Sequence, residues 1–353
     1  MDEIFYDVVD LLKSLISTPS ISRDEAGAAD KIEAFLQSHG CTTNRHGNNV
    51  WTIAPGYDAS RPTLLLNSHI DTVKPVAGWT RDPFTPEDDG ERIYGLGSND
   101  AGAPLVSLIA TFLLLAQRPQ KYNLVMLASC EEEVSGKNGI ESALPLLPEI
   151  TVAVVGEPTG MQPAVAEKGL MVLDGEVLGK SGHAARNEGV NAIYEALPVV
   201  ERLRSLTFPK ESAHLGPVKI SVTQISAGTQ HNVVPDLCKI VVDVRTTDAY
   251  TNEETLEMIR AAVPQCRLTP RSVRLRPSSI GENHPIVSRL IVAGRTPFGS
   301  PTLSDQALMP FPSVKIGPGD SARSHTADEY ILHDEIREAI QLYFTTLDGV
   351  KLA

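Results

Sequence analysis

Three short apolar runs that stop abruptly at polar or acidic residues constrain this chain more than any other feature: PTLLLNSHI (62–70), YNLVMLAS (122–129) and ITVAVVGE (150–157). A strand buried on both faces reads as an unbroken apolar run and not as an alternation. NNVWTIAP (48–55) is a fourth strand candidate, and helical patterns intervene after Asp100 and around residues 138–147. Two amphipathic helices are expected at the N-terminus, over residues 3–17 and 26–39. Strands alternating with helices predict an α/β domain on a mixed, mostly parallel sheet. In such a sheet ligands bind beyond the carboxyl ends of the strands, where these runs become polar.

From about residue 170 the texture changes to alternating strands, GLMVLDGEVLG, VKISVTQISAG and LCKIVVDVRTT, with helices expected at NAIYEALPVVERLRSL and TNEETLEMIRAAV. Strand, helix, two strands, helix, strand predicts a small α+β domain of ferredoxin-like type with an exposed sheet. The α/β texture returns near residue 285. A chain of 353 residues exceeds what one core usually holds, about 250–300. The expectation is therefore an α/β domain of residues 1–170 and 286–353, interrupted by an inserted domain of residues 171–285.

The net charge of −13 argues against nucleic acid as a partner, since phosphate binding needs clustered Lys and Arg. The longest apolar stretch, PLVSLIATFLLLA, is 13 residues, short of the roughly 20 of a membrane helix. The N-terminus is acidic, without the basic start of a secretory signal. The four cysteines (41, 130, 238, 266) are scattered with no CxxC pair. Together these imply a cytoplasmic protein with reduced thiols, and no membrane partner.

The ends of the apolar runs carry the chemistry. His69 and Asp71 follow the leucines, Asp100 stands where a helix begins, Glu131, Glu132 and Glu133 follow LVMLASC, Glu157 ends AVVGE, and His325 lies in GPGDSARSHTADEY. Singly each has a plain explanation: Asp100 can cap a helix, and three glutamates can be a solvated run. Together they put two imidazoles and several carboxylates at one rim, where burying carboxylates unpaired costs several kcal/mol each. Divalent ions such as zinc or cobalt accept this mixed nitrogen and oxygen set. Residues two apart on a strand share a face, so Asp71 can reach toward His69 and hold its ring. Of the consecutive glutamates, one can bind metal while its neighbour takes a proton from water.

These segments, in this order, resemble the M20 metallopeptidase family of co-catalytic zinc enzymes. The motifs are LISTPSIS, SHIDTV, GLGSND, CEEEVSG, GEPTG, GKSGHAA, HNVVPD, DVRTTD and GPGDSARSHTADEY, spread over nearly the whole chain. The resemblance implies that His69 and Glu157 bind one of two divalent ions (Zn2+ or Co2+), that Glu133 and His325 bind the other, and that Asp100 bridges them. It implies Glu132 as general base and then acid, Asp71 as the residue that orients His69, and Glu131 in place of the family's usual Asp. In the inserted domain it implies His183 as an oxyanion stabiliser, supplied in many relatives by the partner subunit of a homodimer, with Asn232 and Arg245 as substrate-binding residues. Guanidinium suits a carboxylate through a bidentate pair. The implied activity is metal-assisted hydrolysis of the amide in an N-acyl amino acid. The wording around GSNDAGAP is closest to the branch acting on N-acyl-ornithines; succinyl-diaminopimelate and dipeptides are the alternatives.

Two departures touch substrate choice and not the ligands: Ala101-Gly102-Ala103 replaces a Met-Lys-Gly common after the bridging Asp, and Asn187 replaces a Pro. A non-catalytic binding protein on the same fold would be expected to lose the base, yet Glu132 is present. Nucleotide binding at GLGSND is disfavoured, because Asp100 stands where a dinucleotide fingerprint needs its third glycine.

Overall fold

The computed structural model describes residues 2–186 and 188–352, so Asn187 lies outside the described residues. It divides into two compact units: residues 1–165, 279–298 and 304–353 form the first, and residues 166–278 with 299–303 form the second.

The first unit is built on a mixed sheet of nine strands. Its centre is parallel: Asn123–Ser129, Thr63–His69, Val152–Val155 and Ser313–Lys315 lie side by side in that order. Asn49–Ile53 and Thr43–His46 extend one side antiparallel, and Ala164 pairs antiparallel with Lys315 on the other. The unbroken apolar runs are explained by what each face meets. Leu64 and Leu66 join Leu124, Met126, Val152 and Val154 in one buried cluster with the helices Asp2–Ile16, Ala26–Ser38, Ala103–Ala116 and His333–Leu347. Leu65 joins Val125, Leu127, Ala153 and Val155 in a separate cluster on the opposite face. Strand side chains alternate with a period of two, so a sheet covered on both faces requires apolar residues at every position. The helical run Ser98–Ala116 is long and apolar enough to cross a membrane, but 78% of that window is buried inside the protein.

The second unit has a four-stranded antiparallel sheet in the order Lys219–Ala227, Leu237–Thr246, Gly169–Leu178 and Cys266–Pro270. The helices Ala192–Ser205 and Asn252–Ala262 cover one face with Ala192, Ala196, Val199, Leu256 and Ile259. This is the ferredoxin-like order, and its strands alternate as one-sided burial demands: 238, 240, 242 and 244 are buried and the residues between them are not. Helix starts are set locally. Asn191 accepts from Ile193 N–H, and Thr251 with Glu254 forms a reciprocal capping box.

Candidate metal centre and active site

The parallel strands end together, and the polar residues beyond their last apolar positions converge. His69 closes its strand and is 2% exposed. Its Nε2 lies 3.2 Å from Asp100 Oδ1 and 3.8 Å from Glu157 Oε1. Its Nδ1 faces the main-chain carbonyl of Asp71 at 2.9 Å and the carboxylate of the same residue at 3.5 Å. His325 Nε2 lies 3.0 Å from Glu133 and 3.6 Å from the other oxygen of Asp100. Asp100 therefore stands between the two imidazoles. Two overlapping groups, His69 with Glu132 and Glu157 and His69 with Asp100 and Glu133, each bring their ligand atoms within 4.8 Å of one another.

The three consecutive glutamates diverge because the chain turns sharply after Ser129. Glu131 is in the left-handed region at φ 56°. Its carboxylate turns away to accept from Asn138 Nδ2 at 2.9 Å, and its N–H donates to the buried Glu25 at 3.3 Å. Glu132 and Glu133 remain to face the cluster. Their N–H groups both donate to the carboxylate of Asp71, at 3.0 and 3.1 Å, and Ser22 Oγ donates to it at 2.7 Å. Asp71 thus sets the turn carrying both glutamates as well as facing His69.

The electrostatics are those of crowded carboxylates. Burial raises Glu132 well above the ordinary glutamate value, with His69 pulling it back and the charges of Glu157, Asp305 and Glu133 adding to the rise. Burial also pushes Glu157 up to about 8, again opposed by His69. For His69 burial works against the charged form, but hydrogen bonding to Asp100 and Asp71 and the nearby Glu157 raise it well above the imidazole norm. Asp100 and Asp71 are held low despite burial, chiefly by His69. Bonding to Glu133 lifts His325 to about 9. Imidazole nitrogens and carboxylate oxygens in this excess suit divalent cations, which would relieve the repulsion that otherwise keeps protons on Glu132 and Glu157.

Two further carboxylates belong to the neighbourhood and carry no local sequence signal. Asp305, 4% exposed, accepts from Ser129 Oγ at 2.5 Å and is pushed up to about 6, mainly by burial. Glu329, 2% exposed, accepts from main-chain N–H groups of the turn that carries Asp100, and burial outweighs those bonds to lift it to about 8.

The other three candidates lie in the second unit. His183, on a two-residue strand paired with Val233–Val234, is exposed. Its Nδ1 accepts from Ala185 N–H at 3.1 Å, which puts the ring proton of a neutral imidazole on Nε2 and makes Nε2 a donor. Asn232 is exposed, and its carbonyl accepts from Ala184 N–H at 3.0 Å. Arg245 forms a two-pronged pair with Asp243 at 2.9 and 3.2 Å, two residues back on the same strand face.

Residues 165–265 match the family model of a peptidase dimerisation domain. The chain is 30% identical to a putative succinyl-diaminopimelate desuccinylase of Mycobacterium tuberculosis, covering 97% of this chain and 98% of the relative. It is 27% identical to an acetylornithine deacetylase of Edwardsiella ictaluri, covering 92% and 93%. Among solved structures, the Bacillus subtilis YXEP protein, described as a dinuclear metal-binding peptidase of the M20 family, superposes with a TM-score of 0.76 at 17% identity, covering 99% of this chain and 98% of that one. Aminopeptidase PepT of Bacillus cereus gives 0.77 at 17% identity, with 98% of each chain covered.

Proposed function

This chain belongs to the M20 family of metal-dependent hydrolases acting on amides, and from that premise we propose that it deacylates an N-acyl amino acid. N-acetyl-L-ornithine or N-succinyl-L-ornithine is the first choice, giving L-ornithine and a carboxylate as a step of arginine biosynthesis. The observation that carries the reading is the pair of ligand groups sharing His69, with Glu132 among them. In this reading His69 and Glu157 would hold one divalent ion and Glu133 and His325 a second, with Asp100 shared between them. Bound zinc or cobalt would supply water activation and carbonyl polarisation.

The chain's own residues do the remainder. Glu132, half-buried beside the ligand groups and relieved of its own proton by bound cations, takes a proton from the attacking water and returns it to the leaving amine. Asp71 keeps that carboxylate in register through the N–H groups of Glu132 and Glu133. His183 offers its Nε2 proton to the developing oxyanion, and Asn232 and Arg245 bind substrate, Arg245 through the part of its guanidinium that Asp243 leaves free. The chain acts as a homodimer through the second unit, whose exposed Tyr194, Leu197 and Ile225 suit a partner copy.

Succinyl-diaminopimelate is the second substrate, favoured by the name of the relative at 30% identity. The deciding experiment is amine release from N-acetyl-ornithine, N-succinyl-ornithine, N-succinyl-diaminopimelate and a dipeptide, with zinc or cobalt, with and without chelator. Chelator-sensitive turnover of one acyl-ornithine supports the first reading. Preference for succinyl-diaminopimelate replaces it with the second, and no turnover of any of them sinks both.

A further inference from the structure

We infer that Glu329 is a positioning residue that locks the turn bearing Asp100 to the loop bearing His325. Tyr330–Leu332 pairs antiparallel with Arg92–Tyr94, Tyr330 opposite Tyr94. Glu329 therefore sits where both strands give way to the two turns that deliver those residues. Its main-chain carbonyl accepts from Gly95 N–H at 3.0 Å. Its carboxylate takes three N–H groups of one turn, Asn99 at 2.8 Å and Asp100 at 2.9 Å on Oε1 and Gly97 at 3.1 Å on Oε2.

Ser98 and Gly102 N–H find carbonyls within that turn, but those of Gly97, Asn99 and Asp100 find theirs on Glu329. Gly97 lies at φ 76°, and Asp100 and Ala101 are non-helical at φ −119° and −117°, so the N–H groups at the start of this turn are not aligned with carbonyls one helical turn earlier in the chain. Buried N–H groups without acceptors are costly. Glutamate presents two oxygens that both accept here, where a glutamine would turn an NH2 group toward a donor. From the other side, the Asn99 amide donates to Asp320 O at 3.1 Å and Ser324 Oγ at 3.2 Å and accepts from Asp320 N–H at 3.0 Å. The turn is gripped by residues flanking His325 before and after it in the chain, and a shift of either segment would change the spacing between Asp100 and His325.

This rests on the reading of Asp100 and His325 as metal ligands, and the test separates the two claims. Chelator-stripped wild type, Asp100→Ala and Glu329→Gln are titrated with cobalt(II) and followed by visible absorption, alongside thermal midpoint and steady-state kinetics. Wild type is expected to take two equivalents, and Asp100→Ala to lose at least one. Glu329→Gln is expected to weaken the second equivalent about 10–100-fold and change the spectrum, with kcat falling by a similar factor and KM within about threefold. A purely structural role would lower the midpoint alone, so wild-type cobalt affinity and spectrum in Glu329→Gln would overturn the inference. Undisturbed cobalt binding in Asp100→Ala would instead remove the ligand reading and the inference with it. Should Glu329→Gln not fold, amide exchange in the wild-type protein decides. The N–H groups of Asn99 and Asp100 are expected to be strongly protected, and exchange at unprotected rates would overturn the inference.

Discussion

The two units place polar chemistry in opposite environments. In the first, His69, Asp71, Asp305 and Glu329 are none of them more than 4% exposed, and each is held by neighbours from distant parts of the chain. In the second, His183 and Asn232 stand exposed on short, lightly braced segments, and Arg245 is steadied by one carboxylate on its own strand. Burial makes charge expensive and therefore fixes it. Exposure leaves a donor free to meet whatever approaches. The first unit gathers its polar groups in a buried, crowded cluster, and the second leaves them open at its surface.

The sharpest way to break the contrast is through Glu132. Glu132→Gln should keep its metal content while kcat falls by about 10²–10⁴; a near-normal kcat, measured with metal stoichiometry, would take proton transfer away from this residue. In the exposed unit, His183→Ala should lower kcat about 10²–10³-fold with KM little changed. A change confined to KM would make His183 a ground-state contact.

Removing divalent ions tests the cost of burial directly. Glu157 and Glu329 at about 8, Asp305 at about 6 and His325 at about 9 all bind protons more tightly folded than unfolded. Their contribution is complete below the unfolded values and is lost as pH rises through the folded ones. The chelated protein should therefore lose thermal stability progressively between about pH 4 and pH 9, and added zinc or cobalt should flatten the slope. A midpoint that rises with pH in chelator would contradict the crowding of these carboxylates. The smallest effect is expected at Glu131. Its side chain is tied to Asn138 and turned from the cluster, so Glu131→Gln should cost about 1 kcal/mol of stability and leave kcat within about twofold.

The legible part of this molecule was the part written locally. LLL before NSHID already implied a strand covered on both faces, and the structure sends Leu64 and Leu66 to one layer and Leu65 to the other. The acidic and imidazole residues at the strand ends were legible for the same reason, since a parallel sheet delivers its strand ends to one rim. Glu329 and Asp305 were not, because their partners lie far off in sequence: Glu329 serves amides 229 to 232 residues earlier, and Asp305 a serine 176 residues earlier. Nothing in DEY or SDQ distinguishes these residues from solvated acids. The Arg245–Asp243 pair is an intermediate case, since the spacing in DVR puts both side chains on one face and could have signalled it.

The central sheet has a consequence for how the chain is made. Val152–Val155 must wait for Ser313–Lys315 before its second parallel neighbour exists, and the helix His333–Leu347 that closes the apolar layer comes later still. The second unit, by contrast, has nearly all its residues in one continuous block, 166–278. As the chain leaves the ribosome, that block can fold while the first unit still exposes strands without partners. The final stretch, bearing His325 and Glu329, then completes the sheet and the cluster of candidate metal ligands together, so a truncated product carries neither.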